Sequence, residues 1–520
     1  MGGTGGACSS QCSEDKSLQS RVAIESYLPG FAWNLFGGIW SKLQSVSSFQ
    51  KSTGWSMLRQ CHPLLVGMVL CLITINSSFA QVSQVADSPA SASAKLPADL
   101  RARTTGIDWP AFLGPDRNSK SPETGIATTW PEGGLPVKWQ IDVGTGYGIC
   151  STSRGRCFFF DRVGDMARLR CLNAETGEQL WAYEYKSNYV DAFKFDNGPR
   201  TSPVVDGDRV YVFGVEGQLH CVSVADGKKI WSLDAIKEFD IVPNFFGVGS
   251  TPVIHGDKLI FMAGGSPEED LGTDVMRLDL VTSNGSAVVA LDKMTGKVVY
   301  SVADDLASYA SMKLTKCGDK TVALAFARAN LVGIQADDGK ELFKFPWRAK
   351  RLETVNAATP VVADGRVLVT ESYEKGCCQF DLGPVATGGK PVVTWQDPPK
   401  TRKKIMASHW MTPVVHDGLM YGCTDSPRKE LRCVDWKTGE VKWATPARAR
   451  ASFLYVDGHV LSLSDDGSLT LIAAGEAAYR EVATMKLELG KPAWSAPVVS
   501  HGLLYVRGSE KLVCLELIGG

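Results

Sequence analysis

Thr201-Ser202-Pro203-Val204-Val205-Asp206-Gly207 is the phrase that decides how this chain folds. A small residue and Pro lead into two β-branched residues, then a Gly turn, then an apolar strand. The phrase returns as Ser250-Thr251-Pro252-Val253-Ile254-His255-Gly256 and as Ala358-Thr359-Pro360-Val361-Val362-Ala363-Asp364-Gly365. It recurs again as Met411-Thr412-Pro413-Val414-Val415-His416-Asp417-Gly418 and as Ser495-Ala496-Pro497-Val498-Val499-Ser500-His501-Gly502. A second phrase follows most copies: an apolar strand, Asp or Asn, a Gly turn, and an aromatic shortly after. It ends at Gly177 with Trp181, Gly227 with Trp231, Gly296 with Tyr300, Gly339 with Phe343, and Gly439 with Trp443. A period of roughly 40–60 residues holding about four strands is the signature of a β-propeller.

Eight inner strands are predicted to start near Ser151, Ser202, Thr251, Ser311, Thr359, Thr412, Ser452 and Ser495. The expected fold is therefore all-β: a single propeller of eight four-stranded blades, with seven as the fallback. The local chemistry agrees. Asp-Gly and Thr-Gly supply the φ > 0 positions of tight hairpins. Val-Val runs suit strands buried on both faces, and Pro at a strand start removes no ladder donor that is needed. Lys138-Trp139-Gln140-Ile141-Asp142 reads as an outer strand with no blade of its own, and the last repeat ends without one. The N-terminal strand is expected to complete the C-terminal blade, which removes open sheet edges.

The 520 residues carry a net charge of −1, so neither nucleic-acid binding nor an acidic tail is indicated. Residues 57–80 have the form of a signal peptide: Met57-Leu58-Arg59-Gln60, an apolar run from Leu64 to Ile75, then Ser78-Phe79-Ala80 before Gln81. The run is short for a membrane span. Translation is expected to start at Met57, making 1–56 a non-native or disordered extension. Residues 81–106 read as a flexible Ala/Ser/Pro linker, and 107–520 as the propeller. The expected location is exported, periplasmic or outer-membrane-associated, with no integral span in the mature chain and a monomeric state.

Export implies an oxidising compartment, so the cysteines matter. Cys8, Cys12, Cys61 and Cys71 precede the predicted mature start. Cys171, Cys221, Cys433 and Cys514 fall at one repeat position and read as small apolar fillers. Cys150–Cys157 and Cys423–Cys433 are candidates for bridges between neighbouring strands.

Taken together, the two phrases resemble the quinoprotein-type, or PQQ-like, β-propeller repeat, and in particular its BamB-like branch. The opening Asp108-Trp109-Pro110 to Gly114-Pro115-Asp116-Arg117, with Trp130-Pro131 and Gly146-Tyr147-Gly148, is similar to the lead-in of exported propellers of this kind. The resemblance covers about residues 107–517. It implies either a propeller that binds without catalysis or a PQQ- and calcium-dependent alcohol or sugar dehydrogenase. In the dehydrogenases PQQ stacks between a Trp and a disulfide of adjacent cysteines, and calcium is held by Glu, Asn and Asp. Calcium needs several convergent oxygens, and alcohol oxidation needs a placed carboxylate base. Adjacent Cys377 and Cys378 are the pair that this resemblance would make a vicinal disulfide, but they lie after the Val367-Leu368-Val369 strand, not before an inner strand, and two unlinked thiols or separate bridges are expected. Asp161, Glu371 and Asp425 each follow a repeat strand, and Glu268-Glu269-Asp270 with Asp274 falls in an insertion at 264–274. No catalytic residue and no metal ligand is assigned, and no cofactor is firmly implied; PQQ and calcium stay open.

Residues just before the inner strands are expected to face the central funnel: Tyr147, Asn197, Arg200, Phe246, Arg328, Asn356, His409, Trp410 and Trp494. Such a ring suits a peptide or small ligand, and Arg200 and Arg328 are candidates for an anion. Three readings follow: a non-catalytic binding or scaffold protein of the envelope, docking an envelope protein or peptide by strand addition; a PQQ dehydrogenase; or a carbohydrate- or small-molecule-binding propeller.

Overall fold

The computed structural model describes residues 96–519 apart from 426 and 448. The predicted extension 1–56, the signal peptide 57–80, linker residues 81–95 and the first four cysteines lie outside the described residues.

Eight sheets follow one another along the chain. Blade 1 comprises Ser151–Ser153, Arg156–Val163, Met166–Asn173 and Gln179–Lys186. Blade 2 comprises Val204–Asp206, Arg209–Phe213, Gln218–Ser223 and Lys229–Asp234, and blade 3 Val253–His255, Lys258–Met262, Val288–Asp292 and Val298–Val302. Blade 4 is Lys313–Cys317, Lys320–Phe326, Asn330–Gln335 and Glu341–Pro346, and blade 5 Val361–Ala363, Arg366–Glu371, Gly376–Asp381 and Val392–Gln396. Blade 6 is Val414–His416, Leu419–Thr424, Glu430–Asp435 and Val441–Pro446, and blade 7 Ala451–Val456, His459–Ser464, Ser468–Ala473 and Glu481–Lys486. Blade 8 takes Val498–Ser500, Leu503–Arg507 and Lys511–Glu516, and its fourth strand is Val137–Asp142, antiparallel to Lys511–Glu516.

The second strand of each blade is buried on both faces, and the outer strands alternate, as Gln179–Lys186 does. The outer strand bends at one place in all eight blades, where the register shifts, for example between Lys229 and Trp231 or between Val137 and Trp139. Bulges of this kind re-aim a side chain, and here they aim the repeat aromatic at the next blade. Trp181 Nε1 donates to the Val224 carbonyl at 3.0 Å, Trp231 Nε1 to Lys293 at 3.1 Å and Trp443 Nε1 to Gly475 at 3.0 Å. Trp139 and Trp395 make the same bond, and the Tyr300 hydroxyl substitutes for it. Except for Trp443, each ring lies on the Gly of the neighbouring turn: a Cβ on Gly296 would stand 2.8 Å from Trp231. Phe343 departs from the pattern, since it covers Gly333 of its own blade.

Meander topology places the inter-blade connections and the second-to-third-strand turns on one face, called upper below. The N-terminal segment crosses the lower face. Trp109 is fully buried and bridges Thr152, Lys120–Ser121 pairs parallel with Tyr455–Val456, and Lys313 Nζ donates to the carbonyls of Asp116 and Arg117 at 2.6 Å. The predicted linker therefore ends before 106. Arg154 and Arg156 donate to the carbonyls of Pro97 and Ala98, and Arg103 pairs with Glu175 and Glu516. Composition could not reveal this anchoring, because main-chain carbonyls accept the bonds from Arg154 and Arg156.

All ten described cysteines are buried free thiols. The bridge expected between Cys423 and Cys433 fails on register: Cys423 faces Leu431, and Cys433 faces Tyr421. Cys150 and Cys157 meet as thiols, and their hydrogen bond together with burial pushes Cys157 well up.

Candidate functional site

The funnel residues predicted from sequence divide into three groups on the upper face. Tyr147 precedes blade 1, Trp494 blade 8, and His409-Trp410 blade 6. Their rings form one belt: Tyr147 to Trp494 at 4.8 Å, Trp494 to Trp410 at 4.2 Å, and Trp410 to His409 at 5.0 Å between centroids. Tyr373, not anticipated from sequence, extends it, with its hydroxyl 2.9 Å from His409 Nε2. Arg450 stands over Trp410 at 5.1 Å and pairs with Asp425 at 2.8 Å. Burial drives His409 down to about 4, so its ring is neutral at pH 7.

Arg200 and Asn197 belong to an internally bonded loop. Arg200 pairs with the buried Asp191 at 2.8 Å and donates to the carbonyls of Gly198 and Asp196. Asn197 Oδ1 accepts from the Asp191 N–H at 2.8 Å. Arg200 is therefore already neutralised and offers no anion site.

Phe246, Arg328 and Asn356 lie toward blades 3–5; Phe246 and Asn356 precede inner strands as expected, whereas Arg328 lies in the turn between Lys320–Phe326 and Asn330–Gln335. Asn356 is fully buried and brackets two blades: its Nδ2 donates to Ala327, and its carbonyl accepts from Tyr309 and Ala310. Arg328 is 4 % exposed, with Nε and Nη2 lacking partners. Phe246 sits 5.7 Å from both Tyr309 and Phe193, and 6.0 Å from Phe195. Phe193 and Phe195 are 41 % and 53 % exposed. The aromatic content of Tyr189 to Phe195 was the available signal for them. Leu278 and Val281, which follow the insertion, pack with Phe245 and Val355.

The residues that would carry PQQ and calcium do not fit that group. Cys377 packs with Leu368 and Met406, and Cys378 with Val369 and Phe380, because neighbours in a strand point to opposite faces. Each thiol has its own partner, Asp397 for Cys377 and Gln396 for Cys378, so the pair stands as two separate thiols and not as a vicinal disulfide. The carboxylates are spent singly. Asp161 takes Arg168 in two bonds, Glu371 takes the N–H groups of Tyr373, Glu374 and Gly376, Asp425 takes Arg450, and Asp270 takes Thr282. Among the described residues no three His, Cys, Asp or Glu side chains are grouped to hold a metal ion.

Residues 137–268 and 165–445 match the PQQ-like family whose model is described as "Outer membrane protein assembly factor BamB". The chain belongs to this family. No curated protein matches the sequence. Several solved structures resemble this BamB-family propeller. BamB from Moraxella catarrhalis is 13 % identical, with a TM-score of 0.38 over 80 % of this chain and 98 % of that one. The quinohemoprotein alcohol dehydrogenase from Comamonas testosteroni is 13 % identical, with a TM-score of 0.47 over 79 % and 81 %. A europium-containing methanol dehydrogenase is 11 % identical, with a TM-score of 0.42 over 78 % and 90 %. Among the described residues no helix is long and apolar enough to cross a membrane.

Proposed function

We propose that this protein is an exported, non-catalytic propeller that docks a protein partner on its upper face and serves outer-membrane or envelope protein assembly. The observation that carries the reading is the exposed aromatic patch of Phe193 and Phe195, held on Phe245 and Phe246. Exposed aromatics on a rigid support are what interface anchors look like, and a monomer gains nothing by exposing them. Membership of a family described as an assembly factor points the same way. The donor set that would support the dehydrogenase reading is dispersed, as described above.

The test is complementation in the source organism. Loss of the protein is expected to lower the amount of outer-membrane proteins. A Phe193→Ser/Phe195→Ser double variant is expected to be exported at the normal level and to fail to restore them. Restoration by that variant refutes the docking surface. Calcium-dependent binding of PQQ in a calorimetric titration would instead support the oxidoreductase.

A further inference from the structure

Arg328 lies in the turn that follows Lys320–Phe326 of blade 4. Its main chain is fixed, with its N–H donating to Leu306 at 2.8 Å and its carbonyl accepting from Asn356 Nδ2 at 3.4 Å. Its head group is not: Nε and Nη2 are buried without partners. Asp305, the buried acid whose field reaches it, spends its oxygens on the N–H groups of Leu306 and Ala329 and on Asn330 Nδ2. The exposed Asp279 and the Tyr309 hydroxyl act on it only through their fields. Arg348 lies close enough that burial and its charge bring Arg328 down to about 10. Arg348 Nε also lacks a partner, and its Nη2 has only two long contacts, to the carbonyls of Arg351 at 3.4 Å and Leu352 at 3.3 Å. Three other upper-face arginines, Arg168, Arg200 and Arg450, each have a carboxylate.

Arg328 lines a cavity of about 20 Å³ walled by Val242, Pro243, Val248, Met262 and Leu306. Ser250 lines it too, and the buried Ser250 Oγ has no partner. A buried guanidinium without a counter-charge is strongly unfavourable, and its two orphaned donors match the two oxygens of one carboxylate. A cavity this small holds one or two non-hydrogen atoms. It admits those oxygens with the rest of the acid outside.

We propose that Arg328, with the Ser250 hydroxyl, forms a binding site for a single carboxylate group on the upper face. The site stands independently of the docking role. Its carboxylate comes either from a small free acid or from the C-terminus of a peptide.

The test titrates acetate into the full chain in chloride-free buffer at constant ionic strength, reading melting temperature and heat. The wild type is expected to show a saturable rise in melting temperature, as a ligand of the native state produces. Arg328→Met, which keeps the length of the stem, is expected to lose the rise. Arg328→Lys is expected to bind acetate about tenfold or more weakly, because an ammonium cannot form the paired bonds. Should Arg328→Met not fold, Arg328→Lys and Ser250→Ala carry the test. The same acetate dependence in the wild type and these variants overturns the site. Tetra-alanine and its amide separate the two sources. Tighter binding than acetate that vanishes in the amide assigns a peptide terminus; binding no tighter than acetate assigns a small acid.

Discussion

Two histidines of the propeller respond to pH in opposite senses. His409 is held neutral by burial in the aromatic belt, with its value brought down to about 4. Its folded value lies below its unfolded one, so its contribution is complete above about pH 6.5 and is lost as pH falls toward 4. His501 is the reverse. Its Nε2 lies 2.9 Å from Asp108 Oδ1, and that bond raises its value against the opposing effect of burial. Its contribution is present below about pH 6.5 and fades as pH rises through the raised value. Melting temperature followed across pH 4–8 is expected to fall less steeply on the acid side in His409→Leu than in the wild type. Asp108→Asn is expected to lose stability at pH 5–6 and little at pH 8; an equal loss at both ends would count against the ion pair. Asn197 and Arg200 show the limit of reading single residues. Their types suggested a ligand surface, and only the position of Asp191 reveals that both are already bonded.

At the scale of the strand, the outer aromatic links one blade to the next. Trp231 joins its ring to the flat face of Gly296 and its Nε1 to the Lys293 carbonyl in blade 3. Gly296 has φ +74°, a conformation that L side chains rarely adopt, and the ring leaves no room for a Cβ. Trp231→Ala is expected to cost about 3 kcal/mol. Gly296→Ala is expected to cost at least about 1–2 kcal/mol from its backbone alone. In urea unfolding the double variant is expected to lose less than the sum of the two, since both remove one contact; strict additivity would mean that ring and turn do not act together. This device was legible in sequence as the Gly-to-aromatic spacing. The exception at Phe343 was not, because the same spacing there leads to a ring that turns inward.

At the scale of the ring, the strand Val137–Asp142 lies in the blade built from the far end of the chain. Removing it would leave Lys511–Glu516 with an open edge and strip the ring of the Trp139 bond to Ala174. Exposed edges recruit other chains. A chain beginning at residue 143 is expected to form oligomers by light scattering and to unfold in a broadened or split transition, where the whole propeller unfolds in one. A monomer with a single transition would show that closure is dispensable.

The sequence by itself determined the propeller, its eight inner strands, its Gly turns and its interblade aromatics. Each rests on short-range constraints: two-residue alternation, φ > 0 at turns, and a fixed spacing from Gly to ring. It also singled out candidate funnel residues from their place before an inner strand, a rule that Arg328, in the turn after Lys320–Phe326, does not follow. What those residues do was decided by the tertiary structure. Asp191 reaches Arg200 across nine residues through a loop, whereas Arg328 Nε and Nη2 have no hydrogen-bond partner. Adjacent Cys377 and Cys378 part to opposite faces of one strand. Pairing, burial and solvent access are properties of three-dimensional neighbourhoods, and no spacing along the chain encodes them.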